Sequence, residues 1–275
     1  SIGLVGSEMC IRDSYKITFV SSGGGTNAIS SLLEVPGASD TILESYIPYS
    51  KESMDQFLNR KPDHYCSLDT CLNMAANAFK KSREIASKTK SKYLFGLAIT
   101  ANLATTYEKK GDHKFFIVIQ AHDYTKYLEC YLQKGKRTRN EEEDLITACA
   151  ISLLADSCSF NYAIPEIEEK ISIEKVVAEK PWKKLFNNKV GFISNNKNNP
   201  ELIFPGSFNP LHEGHIKMQE LAERKTGMHT TFEICAKNAD KPPLTYVEIK
   251  RTIDQFQSNE SWMLTSAGRF SEKAE

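Results

Sequence analysis

The second half of this chain turns on Phe204-Pro205-Gly206-Ser207-Phe208-Asn209-Pro210-Leu211-His212-Glu213-Gly214-His215. Apolar residues 202–204 read as a buried strand and 213–224 as a helix, with a turn of Pro205, Gly206, Asn209 and Pro210 between them. A strand that stops at a glycine turn and feeds a helix aims backbone N–H groups and the positive helix end at one point. Such a point is a ready phosphate site. His212 and His215 are three apart, so both rings fall on one face of the first turn. Two imidazoles beside a phosphate cradle suit charge stabilisation in phosphoryl or nucleotidyl transfer. The plainer alternative is a tight strand–helix turn whose histidines only cap the helix.

The rest of the second half extends this pattern. A strand over 230–235, a helix over 247–256 and a strand over 262–264 complete β-α-β-α-β, half of a doubly wound parallel sheet. Thr245 and Glu248 have the spacing of a capping box for the second helix. Ligands bind such sheets outside the strand carboxyl ends, where the 206–215 turn and the 237–241 loop both lie.

The register Gly206-Ser207-Phe208-Asn209-Pro210-x-His212-x-Gly214-His215 resembles the signature of the HIGH-type nucleotidylyltransferases. It is most similar to the cytidylyltransferase-like and nicotinate/nicotinamide mononucleotide adenylyltransferase branch. The resemblance implies a Rossmann-like domain over 201–275 that moves a nucleotidyl group from an NTP, ATP or CTP with Mg²⁺, to a small phosphorylated acceptor and releases pyrophosphate. His212 and His215 would be catalytic, and Gly206, Ser207, Phe208, Asn209 and Gly214 would seat phosphates. Lys237, with Asn238, would border the acceptor. The family's second motif, a Ser/Thr-rich turn with an arginine that grips the triphosphate, has no counterpart here, so the domain is expected to be incomplete and this chain inactive by itself.

Upstream, strands and helices interleave over 15–163, which reads as an α/β layer domain. Strands are expected at 16–20, 41–46, 93–100, 115–120 and 127–133. Helices are expected at 27–33, from Asp69 onward, and at 138–157, the last with Leu145, Ala148, Ile151 and Leu154 on its buried face. Glycines 23–25 would let a backbone approach a ligand closely. Ser22-Gly23-Gly24-Gly25-Thr26, then Val35-Pro36-Gly37-Ala38-Ser39, then Tyr49-Ser50 resembles the CinA C-terminal domain family. That family's pyridine-nucleotide deamidase members hydrolyse the amide of nicotinamide mononucleotide. The resemblance puts Ser22 in the place of the active serine, Tyr49 in that of a motif tyrosine, and Gly24, Gly25 and Arg137 in the pocket. It departs at Met54, where the family has lysine; Lys51 stands three residues away and points elsewhere unless the strand ends there. The glycine loop of the family is here Ala101-Asn102-Leu103-Ala104. The expectation is a CinA-like fold that keeps a nucleotide pocket and has lost the deamidase chemistry.

Residues 164–200 mix charge with isolated apolar side chains and read as a linker, closing at Asn195-Asn196-Lys197-Asn198-Asn199-Pro200. Residues 1–14 read as an artefact, because 8–13 back-translate to a transposase adapter used in sequencing libraries. Lys plus Arg and Asp plus Glu balance at 35 each, so no charge field favours nucleic acid or membrane. The mean hydropathy is −0.41 and no apolar run approaches a membrane span. Seven cysteines at irregular spacing suggest free thiols, no metal site and a cytoplasmic protein. Two alternatives stand beside the transferase: a nucleotide-binding scaffold without turnover, and an amidohydrolase working through Ser22. An oligomer is left open.

Overall fold

A computed structural model describes residues 15–106, 110–160, 162–237 and 241–266. Residues 1–14, Asn238 and the last residues of the chain therefore lie outside the described residues. The chain divides into two compact units, Ser1–Lys175 and Val176–Glu275.

In the first unit, β1 (Lys16–Ser22), β2 (Ile42–Tyr46), β3 (Leu94–Asn102), β4 (His113–Gln120), β5 (Tyr124–Leu132) and β6 (Ile171–Val177) form one sheet in the order β2-β1-β3-β4-β5-β6. β1 is parallel to β2 and β3, whereas β4 is antiparallel to both β3 and β5. The helices are α1 (Asn27–Leu33), α2 (Lys51–Leu58), α3 (Leu68–Ile85) and α4 (Arg139–Ser157). Successive strand residues face opposite sides. Ile17, Phe19, Leu97, Ile99, Phe115, Ile117 and Ile119 accordingly share one core with Ile146, Cys149, Ala150 and Leu153 of α4. The other face takes α3: Thr18 N–H donates to Ser82 Oγ at 3.0 Å, and Cys71 Sγ donates to Phe116 O at 3.4 Å. β3 is buried along nearly its whole length, which accounts for its unbroken apolar sequence.

Two details differ from the sequence reading for physical reasons. Leu145 and Ala148 of α4 are half-buried, while their neighbours Ile146 and Cys149 enter the core. Both sets are apolar, so periodicity alone does not select the phase. Helix α2 has no long apolar stripe to announce it, but Ser50 caps it by accepting from Ser53 N–H.

The stretch 164–200, read as a linker, carries β6, α5 (Lys180–Phe186) and β7 (Phe192–Ser194). β6 is a largely exposed edge strand, so its charged residues cost nothing and hide its alternation.

The second unit pairs β8 (Leu202–Pro205), β9 (Thr230–Cys235) and β10 (Ser261–Thr265) with β7 in the order β7-β10-β9-β8. β8, β9 and β10 are parallel and β7 is antiparallel. The class is mixed α/β, as the sequence implies, with one antiparallel strand added to the expected half-sheet. Helices α6 (Glu213–Thr226) and α7 (Tyr246–Ile253) connect the parallel strands. Trp182 and Leu185 of α5 join Phe208, Phe232, Ile234, Tyr246, Ile249 and Leu264 in the core. The capping box on α7 forms between Thr245 and Glu248. No helix among the described residues is long and apolar enough to cross a membrane.

Candidate functional site

The turn after β8 enters the core before it returns to the surface. Phe208 is 1 % exposed and has φ 45°, a conformation costly for a side-chain-bearing residue. The strain is on the order of 1–3 kcal/mol, and burying a phenylalanine contributes about 1.5–3 kcal/mol, so the ring holds the turn in place. Gln255, just past α7, clamps it from the other side: its Nε2 donates to Phe208 O at 3.0 Å and its Oε1 accepts Leu211 N–H at 2.7 Å. Gly206 N–H donates to Glu233 O at 3.0 Å and so continues the sheet. Ser207, Asn209 and Gly214 stand exposed around the turn.

His212 is the N-cap of α6 and His215 sits in its first turn. Their rings stack with centroids 3.7 Å apart and planes 21° apart. Each side chain accepts the other's backbone N–H in a capping box, His215 through Nδ1 at 3.3 Å from His212 N. In a neutral imidazole, one nitrogen that accepts leaves the proton on the other. His215 Nε2–H is therefore a donor. Burial lowers the His215 pKa, with the neighbouring His212 charge second, and both favour that neutral form. Capping thus uses one nitrogen of the ring and leaves the proton on the other.

Lys237, after β9, is directed elsewhere. Its Nζ donates to Phe186 O at 2.9 Å and Asn188 Oδ1 at 2.8 Å, at the C-terminal end of α5. A cation at a helix C-terminus is a stabilising partner.

In the first unit a cavity of about 410 Å³ opens at the carboxyl ends of the parallel strands β1 and β3. Ser22 and Tyr49 line it, as the sequence implies, together with Lys51, Tyr65, Thr100 and Arg139. Lys51 was expected to point away unless the strand ended before it; β2 does end at Tyr46 and α2 begins at Lys51, so residues 51 and 54 share a helix face and both meet the cavity. Ser22 Oγ donates to Pro48 O at 3.0 Å, an acceptor that cannot take up a proton. Gly24 and Gly25 pack inward beside Leu103 and Ile99 instead. The amides that the glycine turn offers are also filled from within: Glu143 accepts Gly25 N–H at 2.7 Å and Asn27 N–H at 3.0 Å.

No family model and no curated protein sequence matches the chain. Solved structures are similar over part of it. The competence/damage inducible protein CihA from Agrobacterium tumefaciens is 17% identical, with a TM-score of 0.47 over 57% of this chain and 96% of its own. A competence or damage-inducible protein from Enterobacter asburiae is 14% identical, with a TM-score of 0.46 over 57% of this chain and 98% of its own. A competence-damaged protein (CinA) superfamily protein from Enterobacter cloacae is 13% identical, with a TM-score of 0.46 over 57% of this chain and 92% of its own. At such low identity, the chemistry of each site follows from its own residues.

Arg137, expected in the pocket, is not among the residues that line the cavity. It makes two hydrogen bonds to Glu169, Nη1 to Oε1 at 2.6 Å and Nη2 to Oε2 at 2.9 Å. Arg139, two residues on, takes the place at the cavity and donates to Ala104 O at 3.1 Å. Sequence spacing could not separate them, because the chain turns from a loop into α4 between the two. The Arg137 hydrogen bonds hold the Glu169 carboxyl down at about 2. Its folded pKa thus lies below the unfolded value of about 4.3, so the pair stabilises fully above about 4.3 and is lost as the pH falls toward 2. Replacing Arg137 with methionine should flatten the decline of Tm between about pH 5 and 2. Parallel slopes for the two proteins would contradict the pairing.

Proposed function

We propose that the second unit is a nucleotidyltransferase that joins an NTP-derived nucleotidyl group to a small phosphorylated acceptor. The observation that carries the reading is the stacked, mutually capped His212–His215 pair at the N-terminus of α6. The acceptor phosphate attacks the α-phosphorus in line and pyrophosphate leaves. His215 Nε2–H, His212 and the positive end of α6 face the charge that gathers on the phosphoryl oxygens. Phe208 and Gln255 hold the turn in register for this role.

Mg²⁺ suits this donor set as an ion carried by the nucleotide. The described residues hold no cluster of three metal-ligating side chains, and Mg²⁺ in such sites rests on substrate phosphates and waters. When bound it would neutralise charge on the leaving pyrophosphate.

The cavity of the first unit supports binding of a mononucleotide, a pyridine mononucleotide being the expectation. Its volume lies in the range of small-molecule sites. Lys51 and Arg139 supply charge for a phosphate, and Tyr49 and Tyr65 supply faces for a base. Amide hydrolysis is the weaker reading, since Ser22 donates its proton to a carbonyl. The full chain should release no ammonia from nicotinamide mononucleotide above background. Ammonia release that disappears in Ser22→Ala would replace this assignment with the amidohydrolase. Mononucleotide binding without pyrophosphate release from any NTP would favour the scaffold reading.

A further inference from the structure

At the far end of the second unit's sheet, three side chains from separate elements meet. Ser261 is the first residue of β10, His229 precedes β9, and Glu223 lies in the last turn of α6. Ser261 Oγ is 2.9 Å from His229 Nε2, and His229 Nδ1 is 3.3 Å from Glu223 Oε1. Helix α6 runs from the carboxyl end of β8 to the amino end of β9. At 1.5 Å per residue, its length puts this cluster about 20 Å from His212, so the transferase site does not use it.

Each member is held. Glu223 Oε1 also accepts Thr230 N–H at 2.8 Å, and His229 N–H donates to Glu201 Oε2 at 3.0 Å. Asn196 Nδ2 approaches Ser261 Oγ to 3.2 Å, an amide donor beside the hydroxyl. The Ser261 residue is 7 % exposed while the imidazole side chain is 47 % exposed, so the base borders solvent beside a buried hydroxyl.

We propose that Ser261, His229 and Glu223 form a nucleophilic site for acyl esters. A hydroxyl with a hydrogen-bonded base, itself oriented by a third group, is the arrangement that activates a serine. Ser261 Oγ attacks the ester carbonyl carbon and gives its proton to His229 Nε2. The carbon–oxygen bond to the alcohol breaks, and the alcohol leaves with that proton. Water then attacks the acyl-serine, His229 takes a proton from the water and returns it to Oγ, and the carboxylic acid departs. Glu223 is a positioning residue: its Oε1, 3.3 Å from Nδ1, favours the imidazolium that forms as His229 takes the proton. Asn196 Nδ2 is placed to donate to the oxyanion.

The test is labelling of the full chain with a fluorophosphonate, which transfers phosphorus to an activated serine and releases fluoride. Peptide mass spectrometry should place the adduct on Ser261 in the unsubstituted protein and equally in the His212→Ala, His215→Ala variant. His229→Ala should slow labelling at least about 100-fold, the usual contribution of a general base. Glu223→Gln should slow it less, with partial rescue by Glu223→Asp. Absence of an adduct on Ser261 in the unsubstituted protein would overturn the proposal without need of any variant. Equal labelling of His229→Ala would overturn it too, as would an adduct found only on other serines.

Discussion

In a form of the protein that also carries the Ser/Thr-rich arginine turn, pyrophosphate release should fall by about 10²–10³ when His212 and His215 are both replaced with alanine, while nucleotide affinity changes by less than about tenfold. The size follows from what a preorganised donor contributes at a developing charge. The asymmetry follows from where the two rings stand. In the proposed reaction they face the phosphoryl group and gain strength as charge builds, whereas the ground-state triphosphate would have the helix end and the turn as partners as well. Because the same histidines cap α6, the variant also loses helix stability. A cap is worth about 0.5–2 kcal/mol, which lowers Tm by a few degrees and leaves the protein folded at assay temperature. Replacing both with asparagine, a good capping residue, separates the roles: it should restore most of the Tm and little of the rate.

The second large effect is on the fold. Gly23 has φ +82°, and a Cβ there would lie 2.0 Å from the carbonyl oxygen of Ala101 at the end of β3. No side-chain motion relieves a clash with backbone. Gly23→Ala therefore combines left-handed strain with overpacking and should destabilise the first unit by at least about 3 kcal/mol, roughly a 10 °C loss in Tm for a unit of this size. Gly135→Ala is the control. Gly135 has φ +75° but no atom within 4 Å of a Cβ, so strain alone remains. That variant should lose about 1 kcal/mol. Equal losses in the two variants would show that the Ala101 contact does not matter.

Much of this architecture was legible because its signals are local. The His212 turn declares itself through glycine, proline and two histidines at fixed offsets, and α7 through Thr245 and Glu248. β3 shows in its continuous apolar run. What escaped depends on contacts distant in sequence. Gln255 sits 47 residues from Phe208, and no pattern near it says that it clamps a turn. Glu143 is 116 residues from Asn27, so the occupied helix end at the glycine turn could not be foreseen. Arg137 and Arg139 are near-equivalent in sequence until a loop-to-helix junction sends one to Glu169 and the other to the cavity. Residues 171–186 hid a strand and a helix because both are short and charged on their outer faces.

The central claim is that the His212–His215 site joins a nucleotidyl group to a phosphate. Its most direct test is to incubate a form of the protein that also carries the Ser/Thr-rich arginine turn with Mg²⁺, nicotinamide or nicotinate mononucleotide, and each of the four NTPs in turn, and to follow the products by mass. The account predicts a dinucleotide joined through pyrophosphate, formed with ATP or CTP in step with released pyrophosphate and dependent on His212 and His215. Mononucleotide and NTP both bound, with no dinucleotide formed from any pair, would contradict it.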